Sequence, residues 1–195
     1  LPFAEVVLTA EDGIRLHAWR IPAAGWSENP LWLLHLHGQG TNLSDQLADL
    51  KFWHDLGFAI LALDYRGYGR SDGVPSEAGL YRDAQAAWKH LVEDLKVRPR
   101  RILVVGVSLG VSVASELATT EEPLGLVLEG GFTRLGDVAA RRYPWLPAKL
   151  LVRLHFANGV RVSPDAGTLE LTLARSPVAA LLRSGARVIL FIVIL

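Results

Sequence analysis

The run Gly106-Val107-Ser108-Leu109-Gly110 follows an apolar stretch, Ile102 to Val105, and precedes small residues that suit a helix. At such a strand-to-helix bend a serine hydroxyl can act as a nucleophile, because the sharp turn pushes it out beyond the end of a sheet. The flanking glycines carry no Cβ to clash with the neighbouring strand or helix. The helix that follows aims its unpaired N-terminal N–H groups at the site, which favours negative charge developing there. A second glycine turn, His37-Gly38-Gln39-Gly40, closes the apolar run Trp32 to Leu36. It suits an oxyanion hole, with the backbone N–H groups of Gln39 and Leu109 as donors to a tetrahedral intermediate. Together the two turns point to acyl transfer through Ser108.

Other chemistries fit less well. His35 and His37 have the spacing of a metal pair, but a zinc site needs three or four ligands and no further Asp-His or Cys pattern follows. These two imidazoles are expected to be packed and hydrogen-bonded near the site. No Gly-Lys-Ser/Thr and no G-x-G-x-x-G follows Gly106, which disfavours a phosphate-binding loop. The chain has no Cys, so neither a thiol nucleophile nor a disulfide framework can operate. Its 20 basic and 20 acidic side chains balance, and the densest basic run, Arg98 to Arg101, is short, so no nucleic-acid partner is expected. No run approaches the roughly 18 apolar residues that span a bilayer. There is no Met, not even at position 1, which points to a start downstream of the start codon or to processing. A cytoplasmic location is the expectation.

The elements that must hold these turns are legible in the periodicity. Phe3 to Thr9 and Ile14 to Ile21 alternate around Glu11-Asp12-Gly13 and predict an antiparallel hairpin at a sheet edge. Trp32 to Leu36 predicts a buried strand. Ser44 or Asp45 is the expected cap of a helix bearing Leu47, Leu50, Trp53 and Leu56, stopped by Gly57. Phe58 to Leu63 predicts the next strand, ending at Asp64 and a glycine-rich loop that runs to Gly73. Ser76 to Leu95 predicts one helix, its apolar face formed by Leu80, Ala84, Ala87, Trp88, Leu91 and Leu95, with Arg82, Asp83, Lys89, Glu93 and Asp94 largely off that face. Leu124 to Glu129 predicts a further strand. Strands apolar on both faces, alternating with helices, define an α/β class with a mostly parallel sheet covered on both sides. At 195 residues one domain is expected, with 134–185 as a candidate cap or irregular segment.

With three motifs in order, a resemblance follows. His37-Gly38-Gln39-Gly40, the segment Asp64 to Asp72 and Gly106 to Gly110 resemble the α/β-hydrolase superfamily, nearest its serine aminopeptidase and monoglyceride-lipase-like branch. Glu129 to Thr133 followed by Tyr143 to Pro147 is similar to the same branch, and the match covers roughly residues 3–155. The resemblance implies Ser108 as nucleophile, Gln39 and Leu109 as oxyanion donors, and an acyl-enzyme formed without metal or cofactor. His37, Gly38, Gly40 and Tyr65 are the candidate substrate contacts. The implied substrate is a small-molecule ester or amide; the apolar segment Tyr143 to Phe156, lying over the site as a partial cap, would favour one with an apolar group.

The pattern breaks after the nucleophile. A serine needs a histidine to take its proton and a carboxylate to orient that histidine. The family places the acid in a Gly-x-x-Asp turn after the next-to-last strand, and the histidine near the C-terminus; the chain to Leu195 carries neither. His155 is the candidate base. Glu129 is the better-placed candidate acid, ahead of Asp137 and Asp165. Family character fades from about Ala157, and the apolar run Ala186 to Leu195 resembles the strand that should precede the acid turn. The expectation is a truncated or frame-shifted C-terminus and an impaired hydrolase. The alternatives are a non-catalytic binding module on the same fold and a fragment that does not fold stably.

Overall fold

The computed structural model describes residues 1–25, 29–130 and the strand at 187–189. Its elements run β1 Ala4–Thr9, β2 Arg15–Ile21, β3 Trp32–Leu36, α1 Leu47–Asp55, β4 Ala59–Leu63, α2 Glu77–Lys89, β5 Ile102–Val107, α3 Leu109–Thr120, β6 Gly125–Glu129 and β7 Arg187–Ile189. The strands form one sheet in the order β1-β2-β4-β3-β5-β6-β7. β1 and β2 form the expected antiparallel hairpin, and β2 lies antiparallel to β4. The rest is parallel: β4 and β5 flank β3, β6 flanks β5 and β7 flanks β6. This is the mostly parallel α/β architecture that the apolar strands predict.

Because side chains alternate along a strand, each central strand feeds two cores. Leu34 and Leu36 of β3, Leu61 and Leu63 of β4 and Val104 of β5 pack beneath Leu80, Ala84 and Trp88 of α2 and Val113 and Leu117 of α3. Leu33, Ile60, Ala62, Leu103 and Val105 point the other way, toward Leu50 and Trp53 on α1. Leu33, Leu34 and Leu36 are wholly buried; burying a leucine contributes about 1.5–3 kcal/mol. The parallel strands thereby end on one rim, and the turns after β3, β4 and β5 lie along it.

Three local expectations need correction. The helical segment around α1 begins with a 3-10 turn, Leu43–Gln46, capped by Asn42 rather than by Ser44 or Asp45. Asn42 Oδ1 accepts from Ser44 N–H at 2.8 Å, and Asp45 Oδ2 accepts from Asn42 N–H at 2.9 Å. This reciprocal capping satisfies N–H groups that a helix start leaves free. The predicted helix from Ser76 to Leu95 has Ser76 as its cap, but its α-helical part stops at Lys89 and His90–Asp94 forms a π-helical turn. Asp83 is wholly buried instead of lying on the polar face. It takes the Arg66 guanidinium, with Nη2 at 2.7 Å and Nε at 2.9 Å.

That pair ties α2 to the loop after β4 and, through Asp12, to the hairpin turn. Arg66 Nη1 and Nη2 donate to the two Asp12 oxygens at 2.7 and 3.0 Å. The hydrogen bond from Arg66 holds the Asp12 carboxyl below its ordinary range. Burial pushes Asp83 the other way, opposed by Arg66. The guanidinium, planar and always charged, satisfies both carboxylates at once. Among the described residues no helix is long and apolar enough to cross a membrane.

Candidate active site

Close contact between the start of α3 and the ends of β3 and β5 sets the position of Ser108. A Cβ built on Gly110 would stand 2.0 Å from the carbonyl oxygen of Leu36, and one on Gly106 would stand 2.4 Å from that of Gly110. Only bare backbone fits between these segments, so α3 sits directly on the sheet. The chain must therefore turn within one residue. Ser108 does so at φ 51° and ψ −105°, a conformation that costs of order 1–3 kcal/mol in a non-glycine residue. Its N–H donates to Glu129 O at 2.7 Å and its carbonyl accepts from Val111 N–H at 3.2 Å. These two bonds hold the strained turn from either side.

The hydroxyl is not used to cap α3, although serine is among the favoured capping residues. Among the described residues no side chain bonds to it, and the residue is half-buried. Leu109 is the first residue of α3, where backbone N–H groups have no acceptor within the helix. The glycine turn after β3 approaches from the other side. A Cβ on Gly38 would lie 3.3 Å from Ser108 Cβ and 3.9 Å from its Oγ. The peptide linking Gly38 to Gln39 thus borders the serine hydroxyl.

Beneath this turn lies a polar network that the sequence reading did not find. Asp64, nearly fully buried at the end of β4, accepts from Leu43 N–H at 3.0 Å and pairs with His17 Nδ1 at 3.0 Å. Its Oδ1 stands 3.8 Å from His37 Nε2. Ser71 Oγ donates to Asp64 O at 2.7 Å and accepts from His17 N–H at 2.8 Å. A Cβ on Gly69 would meet Asp64 Oδ2 at 2.0 Å, so the loop after β4 folds back onto that carboxylate. The legible signal was Asp64 itself, a charged residue closing an all-apolar strand. Thr41, whose Oγ1 donates to Gly38 O at 3.0 Å, was missed altogether.

Of the residues expected to touch substrate, Gly38 is buried against Ser108 while Gln39 and Gly40 are exposed on the rim. The His37 and Tyr65 side chains are both wholly buried, with ring centroids 4.7 Å apart, and pack against one another beneath the turn. Tyr68 completes the cluster, 5.4 Å from His37. Burial pushes the Tyr65 phenol well above its ordinary value. It lowers His37 too, against the opposing pull of the Gly38 carbonyl and Asp64. His35 is also buried as expected, but not hydrogen-bonded: neither ring nitrogen has a partner among the described residues. Desolvation, with His37 close by, takes its pKa from 6.5 down to about 3.

Glu129 lies opposite Val107 in the register and is exposed. Its described link to the site runs through its backbone carbonyl and not its carboxylate. His155, Asp137, Asp165 and the segment 134–185 lie outside the described residues. Among the described residues no group of three or more His, Asp or Glu is placed to hold a metal ion.

A strained serine at the end of a parallel strand, facing a glycine turn from the neighbouring strand, defines the class that the fold already suggests. The chain belongs to the alpha/beta hydrolase family, whose model matches residues 33–191. It is 39% identical over 159 residues to an uncharacterized protein of Mycobacterium tuberculosis, covering 82% of this chain and 56% of that one. It is 35% identical over 149 residues to the alpha/beta hydrolase domain-containing protein WAV2 of Arabidopsis thaliana, covering 75% of this chain and 48% of that one. The chain thus spans about half the length of these relatives. Among solved structures it is similar to the Pyrococcus furiosus esterase Pf2001, with a TM-score of 0.65 at 25% identity over 74% of this chain and 55% of that one. An alpha-beta hydrolase from Vibrio vulnificus shares the fold with a TM-score of 0.65 at 22% identity, over 98% of this chain and 73% of that one.

Proposed function

We propose that this hydrolase is a serine hydrolase cleaving carboxylic esters, or amides, through an acyl intermediate on Ser108. What supports this reading is that Ser108, at φ 51°, leaves its hydroxyl out of the α3 cap and stands against Gly38, directly before Leu109 at the start of α3. Ser108 Oγ attacks the substrate carbonyl carbon and loses its proton to a base. The carbonyl oxygen becomes an oxyanion, and the N–H groups of Gln39 and Leu109 donate to it. Collapse expels the alcohol or amine, which takes that proton back from the base. Water, giving a proton to the same base, then attacks the acyl carbon and releases the acid from Ser108. Donors already fixed in place cost no reorganisation as the charge develops, which is why such electrostatic stabilisation is usually the largest contribution to the rate.

Within residues 1–195 the candidate base is His155 and the candidate acid Glu129. An oxyanion hole and substrate binding alone, with no working base, leave a residual rate of roughly 10³ to 10⁴ over water. Turnover above that residual rate requires a working base, and the reading expects that excess to depend on Ser108. The similarity to an esterase favours esters over amides. The apolar composition of Tyr143 to Phe156, outside the described residues, favours an apolar acyl or alcohol group. The test is hydrolysis of p-nitrophenyl esters of graded acyl length by the wild type and Ser108→Ala. Turnover that disappears in the variant supports the reading. Turnover that survives it removes Ser108 from the chemistry.

A further inference from the structure

The carbonyl of Gly38 receives two hydrogen bonds. His37 Nδ1 donates to it at 2.7 Å and Thr41 Oγ1 at 3.0 Å, and the two donors lie 3.5 Å from one another. A carbonyl oxygen only accepts, so the ring proton sits on Nδ1. The far nitrogen, Nε2, has no hydrogen-bond partner among the described residues and looks toward Asp64 Oδ1 at 3.8 Å. His37 is wholly buried and Thr41 half-buried, so solvent competes little for either bond.

Gly38 O belongs to the same peptide unit as Gln39 N–H. In a planar trans peptide the C=O and N–H point in opposite directions, and no peptide bond among the described residues is cis. Whatever fixes one end fixes the other. We propose that His37 and Thr41 are positioning residues that clamp the Gly38 carbonyl and thereby hold Gln39 N–H in its direction toward the oxyanion. Asp64 completes the support: by accepting Leu43 N–H it fixes the chain just after Thr41. The inference rests on the serine-hydrolase reading and adds the device that aims one of its two donors. A peptide left free to rotate would offer its carbonyl oxygen, a repulsive group, where the oxyanion forms.

The test uses the full chain labelled with ¹⁵N-histidine, and compares wild type, Thr41→Val, Thr41→Ser and Ser108→Ala. In the wild type the His37 ring, assigned by loss of its signals in His37→Gln, carries its proton on Nδ1. Thr41→Val removes one clamp donor at nearly constant shape; it lowers kcat about tenfold and leaves KM and the melting temperature near wild type, as loss of transition-state stabilisation requires. Thr41→Ser restores the rate. A proton on Nε2 overturns the clamp, and so does a Thr41→Val variant with unchanged kcat or with activity lost only in step with folded protein. If no turnover depends on Ser108, the hydrolase reading fails, while the tautomer still decides whether His37 grips the Gly38 carbonyl.

Discussion

Gly38 and Ser108 touch across the gap between two strands: a Cβ added to Gly38 would stand 3.3 Å from Ser108 Cβ, with Val107 O at 3.4 Å. That spacing is tight without being impossible, and it predicts a separation of effects. Gly38→Ala folds with little loss of stability, because its neighbours need shift only by tenths of an ångström. Under the proposed function it lowers kcat about tenfold or more, since the displaced atoms are those of the Ser108 turn. Gly110→Ala is the contrasting case. Its Cβ would meet the Leu36 backbone at 2.0 Å, and backbone cannot step aside. A loss of at least about 1–3 kcal/mol is expected from such overpacking. Urea midpoints beside steady-state kinetics read both; similar stabilities for the two variants would contradict the packing.

The ion pair between Arg66 and Asp83 predicts an asymmetry. Asp83→Ala strands a buried guanidinium, with only Asp12 to answer it. Breaking such a pair costs about 3–5 kcal/mol, whereas replacing both partners with apolar residues is often near neutral. The double variant Arg66→Met with Asp83→Leu should therefore be more stable than Asp83→Ala alone. Chemical denaturation of both proteins decides it, and an equal or larger loss in the double variant speaks against the pair's burial.

His35 predicts the acid side of the stability curve. Its ring is neutral in the folded protein down to about pH 3, while in the unfolded chain it takes up a proton below about 6.5. Above that value neither state gains a proton and nothing is lost. Below it the unfolded state binds the extra proton, so stability falls by up to about 1.4 kcal/mol per pH unit, or about 2 kcal/mol at pH 5. His35→Leu lacks this loss. The stability difference between His35→Leu and wild type should shift by that amount in the variant's favour between pH 7.5 and pH 5. Parallel curves would show that the ring titrates normally.

The parts legible in the sequence are those encoded locally. Trp32 to Leu36 reads as a strand because it is a short, largely apolar run ending at a glycine turn, and the structure matches it residue for residue, with Leu33 to Leu36 buried. The hairpin and the order of strand, turn and helix at Ser108 follow from the same short-range patterns. Asp83 was misread because a helical wheel sees only its own helix, while its partner Arg66 sits 17 residues upstream across the loop after β4. Asp64 escaped for the same reason, since Leu43 and His17 reach it only through the fold; the bond from Thr41 to the Gly38 carbonyl is local, but no pattern of residue types marks it. His35 shows the reverse failure. A buried histidine reads as hydrogen-bonded by rule, and here the central strand surrounds it with apolar neighbours instead.

The claim on which the account turns is that Ser108 carries an activated hydroxyl facing an oxyanion hole. A fluorophosphonate reports on this directly, because the serine oxygen displaces fluoride from phosphorus only where the resulting anionic oxygen is stabilised. Intact mass followed by peptide mapping should find one adduct, on Ser108, absent from Ser108→Ala and slowed in Thr41→Val. A folded wild-type protein that takes no label at Ser108, or takes it elsewhere, would contradict the account.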